Sequence, residues 1–267
     1  MIKFFRNIRK SLLKEGKTSN YLKYAIGEII LVVIGILIAL QINNWNSNRI
    51  KKQKEIVYIT NIKRDLKEQL KTIEAQIDSE THINNVATPI IAYYKENQGF
   101  NIDSVFTRTI GKLTVRTTFI KNSPTYTELI SSGNIDIIGD NILKDNIINY
   151  YQELERIELI INKNNNLFTD SVFIPEMLKI SELGTGVESI LDFPAKNNIT
   201  IIDINEKRLK EITKQQLENP ENELKMINCI NFRNILAILH IDRLNIQKEK
   251  TQSLLEKLES KIKKTND

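Results

Sequence analysis

The most regular feature of the hydrophobic and polar pattern is an unbroken apolar run near the N-terminus. Residues 25–42, AIGEIILVVIGILIALQI, contain twelve Leu, Ile or Val residues, and their one ionisable group is Glu28. As an α-helix this run would be about 27 Å long, close to the ~30 Å hydrocarbon core of a bilayer. Each aliphatic side chain favours insertion by about 0.3–0.6 kcal/mol, and together they outweigh the ~3 kcal/mol cost of one carboxylate. The pattern therefore predicts a transmembrane helix over residues 25–42.

The residues that flank this run predict its orientation. Residues 1–24 contain seven basic residues and one acidic residue, whereas residues 43–54 contain four basic residues. Because basic residues are retained on the cytoplasmic side, we expect the N-terminus inside the cell and the remainder outside. Tyr21, Tyr24 and Trp45 lie where aromatic side chains would meet the two headgroup layers. A cleaved signal peptide is disfavoured because the run is too long and no small-x-small cleavage site follows.

The basic tail, residues 1–24, has a helical pattern of its own. Four apolar residues recur at helical spacing, four basic residues lie between them, and Gly16 follows: Ile2, Phe5, Ile8 and Leu12, with Lys3, Arg6, Lys10 and Lys14. This pattern predicts an interfacial helix on the anionic inner leaflet of the lipid bilayer. The alternative is a disordered tail that only enforces the topology.

The net charge of +5 belongs to these membrane flanks. Residues 55–267 contain 31 acidic and 27 basic residues, so the part outside the membrane is slightly acidic. A nucleic-acid-binding domain should present a basic face. We therefore expect no nucleic-acid partner.

Beyond the span, the apolar spacing is that of helices. From Ile56 to Ile77 apolar residues recur in steps of three and four, with charged residues between them. Residues 36–88 contain no Gly or Pro, so the spanning helix is expected to continue without a break until Pro89 kinks or ends it. With two more long helical patterns, these features predict an all-α fold, an antiparallel bundle over residues 43–267.

Local sequence features mark where the later helices begin and end. Ser123 before Pro124 is expected to cap one helix, and Gly133 lies just past its end. Asp140 is expected to cap the next, and Asn219 followed by Pro220 opens the last.

One segment has the alternation of a strand instead. Residues 113–120, LTVRTTFI, alternate apolar and polar side chains, and residues 199–202 would be a short partner. Two strands alone are only marginally stable. We therefore expect at most a minor β element.

Residue types that carry chemistry are few. Cys229 is the single cysteine, so we expect a small buried hydrophobe, with an intermolecular disulfide as the alternative. His82 and His240 are far apart, and both are expected to be structural. The sequence has no metal-ligand cluster, no H-E-x-x-H and no G-x-S-x-G motif. We expect no enzymatic activity, no catalytic residue, no metal and no cofactor.

A loop with two glycines offers several side-chain oxygens. The segment SSGNIDIIGD, residues 131–140, contains Asn134, Asp136 and Asp140, which could bind a cation, a ligand or a partner. The structural alternative explains more of the sequence, because Gly133 would end one helix and Asp140 would begin the next.

Three residues of the predicted span share one helical face. Glu28, Gly35 and Ala39 lie within about 20° of one line, because each step is close to a whole number of turns. Small residues permit close approach of a second helix, and a carboxylate prefers protein to lipid. Either this face packs against another spanning helix, or Glu28 reaches the headgroups and the small residues are incidental.

Two segments resemble a known family. These are YAIGEIILVVIGILIALQINNWN, residues 24–46, and TYTELISSGNIDIIGDNILKDNIINYY, residues 125–151. They resemble an uncharacterised bacterial family of single-pass membrane proteins, a domain of unknown function. The resemblance implies a membrane anchor in a bacterial inner membrane, and it brings no catalytic residues with it.

The sequence thus favours an interaction module on a membrane anchor. We expect a bitopic inner-membrane protein that presents a helical scaffold in the periplasm, either to a second copy or to another membrane protein. The alternative is a ligand-sensing subunit. Because 24 cytoplasmic residues are too few for an output domain, such a sensor would signal through a partner membrane protein.

Overall fold

The computed structural model describes residue 6, residues 18–184, residue 202 and residues 204–266. The chain divides into two compact units, residues 1–57 and residues 58–267. The interfacial helix predicted in the tail lies outside the described residues, except for Arg6. The same is true of most of the predicted partner strand, residues 199–202.

The first helix contains the predicted transmembrane segment. Helix α1 (Thr18–Asn97) passes through Asn43 and Asn44 without interruption. An 18-residue window of this helix has a mean hydropathy of 2.6, and none of that window is buried in the protein. Among the described residues, this is one helix that is long and apolar enough to cross a membrane.

The second unit consists of the rest of α1 and a series of shorter and longer helices. They are α2 (Ser104–Leu113), α3 (Pro124–Ser131), α4 (Asn141–Asn164), α5 (Ile174–Ile180), α6 (Lys207–Leu217) and α7 (Pro220–Asn266). A 3₁₀ turn at Asn134–Ile137 precedes α4, and a π-helical segment at Asn165–Phe173 joins α4 to α5. The part of the chain that the structure describes contains no β-strand, so the predicted all-α fold is confirmed.

Helix α7 is antiparallel to the other two long helices of the bundle. The contacting pairs run in opposite order along the chains: Lys63 with Glu259, Glu74 with Lys248 and Tyr94 with Glu223 for α1, and Tyr150 with Thr251 and Asn164 with His240 for α4. Helices α1 and α4 therefore run in the same direction.

Buried apolar side chains form two clusters in the bundle. The first cluster joins α1, α4 and the C-terminal half of α7, and includes Ile62, Leu66, Ile147, Leu154 and Leu258. The second joins the end of α1 to α2, α5 and the N-terminal half of α7, and includes Ile83, Ile110, Phe173, Met177 and Ile230. On α4 the apolar residues that recur in steps of three and four form one buried stripe: Leu143, Ile147, Tyr151, Leu154, Ile157 and Ile161.

Most of the predicted helix boundaries are confirmed. The Asp140 carboxylate accepts a hydrogen bond from Leu143 N at 3.1 Å, and Asn219 Oδ1 accepts one from Glu221 N at 2.9 Å. Gly133 follows α3 with φ +66°, a left-handed conformation that favours glycine. Pro89 does not end α1, which continues for eight residues beyond it.

The predicted strand at residues 113–120 is wrong. Leu113 is the last residue of α2, and residues 114–123, here called the strap, cross the bundle in no regular secondary structure. The alternation follows burial only in part, because Phe119 is fully buried whereas Val115 is half-buried and Thr117 is exposed. No neighbouring strand pairs with the strap among the described residues.

Helix side chains take the place of the missing strand. The Asn162 side-chain amide bonds both backbone groups of Phe119. Its Oδ1 accepts from Phe119 N at 3.1 Å, and its Nδ2 donates to Phe119 O at 2.9 Å. Further bonds join Lys121 N to Glu158, Asn122 N to Gln69, Asn165 to Thr117 O, and Arg233 to Val115 O. Buried backbone groups need such partners, and α1, α4 and α7 supply them from their polar side chains.

The cap of α3 also comes from another helix. Ser123 precedes α3 as predicted, but its side chain makes no capping hydrogen bond. The buried Asp65 carboxylate on α1 accepts a bond from Thr125 N at 3.0 Å instead. Asp65 therefore fixes the start of α3 to α1.

We predict that Asp65→Ala lowers the free energy of unfolding by about 1–3 kcal/mol, because it leaves a buried backbone N–H without its acceptor. Ser123→Ala is the matched control and should cost less than about 0.5 kcal/mol. Urea unfolding of the detergent-solubilised protein, followed by circular dichroism, measures both. A larger loss from Ser123→Ala would contradict the assignment of the cap to Asp65.

Candidate functional site

A group of buried polar residues lies where the two apolar clusters meet. Glu80 lies on α1 between Ile77 and Ile83, and Arg233 and His240 lie on α7 on either side of Ala237. These three ionisable side chains are only 1–2% exposed. We call them, with Gln76 and Asn164, the polar layer.

The Glu80 carboxylate is the centre of the polar layer. Its Oε2 lies 3.3 Å from Arg233 Nη1, and its Oε1 accepts from Gln76 Nε2 at 3.1 Å and lies 3.0 Å from His240 Nδ1. Arg233 Nη2 also donates to Val115 O in the strap at 3.2 Å. One buried negative charge thus joins α1, α7 and, through Arg233, the strap.

The second ring nitrogen of His240 fixes its tautomer. In the neutral ring, Asn164 Nδ2, which lies 3.0 Å from His240 Nε2, donates to that nitrogen. The proton of the neutral imidazole is then on Nδ1, which donates to Glu80. His240 is therefore held by α1 on one side and by α4 on the other.

The partners of Glu80 determine its ionisation. Burial raises the pKa of the Glu80 carboxyl, but the hydrogen bond from His240 and the charge of Arg233 outweigh it and bring the pKa below its ordinary 4.5. The folded state therefore prefers the carboxylate more strongly than the unfolded chain does. The stability that Glu80 contributes is present above pH 4.5 and is lost as the pH falls through its lowered pKa.

The polar layer is suited to fix how the helices align. Apolar stripes alone permit one long helix to shift by one turn along another at little cost in free energy. A buried charge does not permit this shift, because the shift would separate it from its ion-pair and hydrogen-bond partners. The best-attested role of buried polar groups between helices is to set such a register. The cavities described below are lined by other residues, so no cavity described here reaches the polar layer.

Of the polar layer, only His240 could be assigned a structural role from the sequence. The partner of His240 is Glu80, which lies 160 residues away in the sequence. The sequence feature that could have revealed the buried pair is a charged residue at a core position. Glu80 and Arg233 both occur where the apolar repeat of their helix requires a buried residue. Pairing them needed the register between α1 and α7, which a single sequence does not supply.

The other chemically interesting side chains have structural surroundings. Cys229 is buried in the second cluster, and burial raises the pKa of its thiol. Burial and the nearby Lys112 lower the pKa of His82, which favours the neutral ring. No group of His, Cys, Asp and Glu in the described part of the chain could hold a metal ion.

The predicted loop residues have intramolecular roles. Asp140 caps α4, and Asp136, which is 81% exposed, pairs with Lys144 at 2.9 Å. Asn134 begins the 3₁₀ turn after Gly133. This geometry agrees with the structural interpretation, and binding of a ligand or partner here stays a prediction.

The predicted packing face of the span lies within the helical part of the first unit. Glu28, Gly35 and Ala39 all belong to α1, and the space beside Gly35 is open. Packing of this face against a second spanning helix stays a prediction.

Two open grooves lie on the bundle surface. An apolar groove of about 350 Å³ lies between α1 and α2 and is lined by residues such as Val86, Pro89, Ile90, Phe100 and Phe106. A basic groove lies between α4 and α7. It consists of cavities of about 540 and 270 Å³ that share Asn146 and Lys257.

The outer face of α7 carries a band of exposed apolar side chains. Each member is at least 40% exposed, and all lie within about 120° of helix circumference: Phe232, Ile235, Ile238, Leu239 and Ile246. We call these residues the apolar band. A cluster of this kind on a surface marks an interaction site more often than single exposed apolar residues do.

Most of the chain matches a known protein family. Residues 28–182, more than half of the chain, match a family of unknown function (DUF6090). The matched range includes most of the predicted span and continues through α5. No curated protein and no solved structure matches the chain.

We predict that Arg233→Met lowers the free energy of unfolding by about 3–5 kcal/mol, because it leaves the Glu80 carboxylate buried without its cation. The double variant with Glu80→Leu should cost less than Arg233→Met alone, since it removes the uncompensated charge. Urea unfolding of the full chain measures both, with the exposed Arg208→Met as the control. Additive losses in the double variant would show that the two side chains are not coupled.

Proposed function

This chain belongs to DUF6090, a family of unknown function, and we propose that it is a single-pass membrane protein whose helical bundle binds a partner protein. The proposed role is assembly rather than catalysis. The apolar band on α7 is the observation that carries this proposal.

The N-terminal part of α1 supports membrane anchoring. Its apolar side chains are exposed, from Ile26 at 50% to Ile42 at 61%, and water would hydrate them unfavourably. Lipid removes that cost, and the helix satisfies its own backbone hydrogen bonds. The basic tail supports an orientation with the N-terminus in the cytoplasm and the bundle outside, in a periplasmic compartment.

The apolar band indicates what kind of partner the bundle binds. It extends over 15 residues, about 21 Å of helix, which suits an amphipathic helix laid along α7. Asp242 is exposed within the band, so the partner helix should place a basic residue opposite it. A different protein fits better than a second copy, because two copies anchored in the same direction would bring their Asp242 side chains together.

The alternative proposal is ligand sensing. The apolar groove between α1 and α2 has a volume within the ~300–1,000 Å³ range of small-molecule sites. Pro89 has no N–H to donate to the Asn85 carbonyl, and both residues line the groove. A sensor of this kind would transmit its state to a partner membrane protein.

We predict that alkaline phosphatase fused after Asp267 is active in cells, whereas green fluorescent protein at the same position does not fluoresce. Both results follow if the bundle is exported. Deleting residues 1–17, which removes most basic residues before the span, should reduce export by weakening the charge asymmetry. Fluorescent fusions with inactive phosphatase would contradict the proposed topology.

We predict that a photo-crosslinking residue at Ile235 or Leu239 yields one discrete product in cells, whereas positions 145 and 211, which are exposed on α4 and α6, yield none. Asp242→Lys should abolish the product, and Asp145→Lys should not, because only Asp242 lies in the apolar band. Gel mobility and mass spectrometry identify the product.

A product at twice the mass of this chain would identify a second copy as the partner. Equal yields at all four positions would exclude the apolar band as a specific surface. If no product forms and small apolar molecules raise the melting temperature of the solitary protein, the sensing alternative is favoured.

A further inference from the structure

The basic groove between α4 and α7 has a chemistry that protein assembly does not explain. Its two cavities adjoin at Asn146 and Lys257 and together extend along the N-terminal half of α4. Residues with side-chain amide or hydroxyl groups line it beside the lysines: Asn146, Asn149, Tyr150, Ser253 and Ser260. The groove thus offers hydrogen-bond donors and positive charge in one concave surface.

The lysines of the groove form a row. All four belong to α7 at spacings of seven, four and three residues, which brings them within about 60° of one line: Lys250, Lys257, Lys261 and Lys264. The row is about 21 Å long. It therefore presents successive positive charges to one side of the helix, as an extended anion requires.

Acidic residues of the same helix lie elsewhere. Glu259 faces α1 and pairs with Lys63 at 2.9 Å. The one carboxylate that lines the groove is Asp140, which is engaged in capping α4. The N-terminus of α4 adds the positive end of its helix dipole at the same place. Glu153 on α4 is within electrostatic range of Lys250 at one end of the row, and its hydrogen-bond partner is Arg156.

We propose that this groove binds a ligand with two or more phosphate groups. Four lysines outnumber the two nearby carboxylates, Asp140 and Glu153, and attract an anion. The length of the row favours several charges along the ligand rather than one. Lysine binds phosphate as a point charge, and the amides and hydroxyls of the groove supply directional bonds to phosphate oxygens. This site goes beyond the proposed assembly function, because the apolar band ends before the row begins.

Tripolyphosphate is the probe that tests the groove. The full chain in nanodiscs of phosphatidylcholine is titrated calorimetrically at constant ionic strength. We expect tripolyphosphate to bind more tightly than orthophosphate. Lys257→Gln, which alters the lysine shared by both cavities, should weaken the affinity for tripolyphosphate about fivefold. Lys263→Gln is the matched control: it removes the same charge from the same end of α7 but on another face, and should change the affinity less than twofold.

Equal losses from Lys257→Gln and Lys263→Gln would overturn the proposal, since they would show attraction to the net charge alone. Absence of tripolyphosphate binding to the wild-type chain would also overturn it. Nanodiscs that contain phosphatidylglycerol distinguish the source of the phosphate. The comparison is with nanodiscs that contain a carboxylate lipid of the same charge. If tripolyphosphate binds more weakly in the phosphatidylglycerol discs than in the carboxylate discs, the ligand is a lipid headgroup. If it binds equally in both, the ligand is a soluble phosphate compound. A melting curve confirms that each variant is folded.

Discussion

The ion pair between Glu80 and Arg233 requires the bundle to keep one arrangement. A buried carboxylate is tolerated only where cationic and hydrogen-bonding partners surround it, and here they come from α1, α7 and, through His240, from α4. A shift of one helical turn would move Glu80 by about 5.4 Å and separate it from these partners. The alignment of α7 against α1, and with it the position of every surface on α7, therefore depends on this pair.

Helix α7 connects the core to both proposed binding surfaces. Its inner face carries Arg233 and His240, whereas its outer face is apolar in the first half and basic in the second. A protein partner and a phosphate ligand would thus contact one rigid element at separate positions. The charge distribution matters more than the net charge here, because the bundle is acidic as a whole and yet has a basic groove.

Local features could be predicted from the sequence, and features that join distant residues could not. The long apolar helix near the N-terminus, the buried stripe of α4, Asp140 as a cap and the start of α7 each depend on neighbours within a few residues. Glu80 and Arg233 are 153 residues apart, so only the fold brings them together. The strap shows the same limit: its alternation matches the burial of Phe119 but not the exposure of Thr117, and Asn162 and Gln69 on distant helices take the place of the strand that alternation usually implies.

The strap has a consequence for how this protein behaves at high local concentration. An edge strand exposes a row of unpaired backbone groups that can recruit a strand from a neighbouring chain. Here several of those groups already bond to helix side chains that point in from α1, α4 and α7. The bundle can therefore include ten residues of non-helical chain without exposing a row of unpaired backbone groups to which a neighbouring chain could pair.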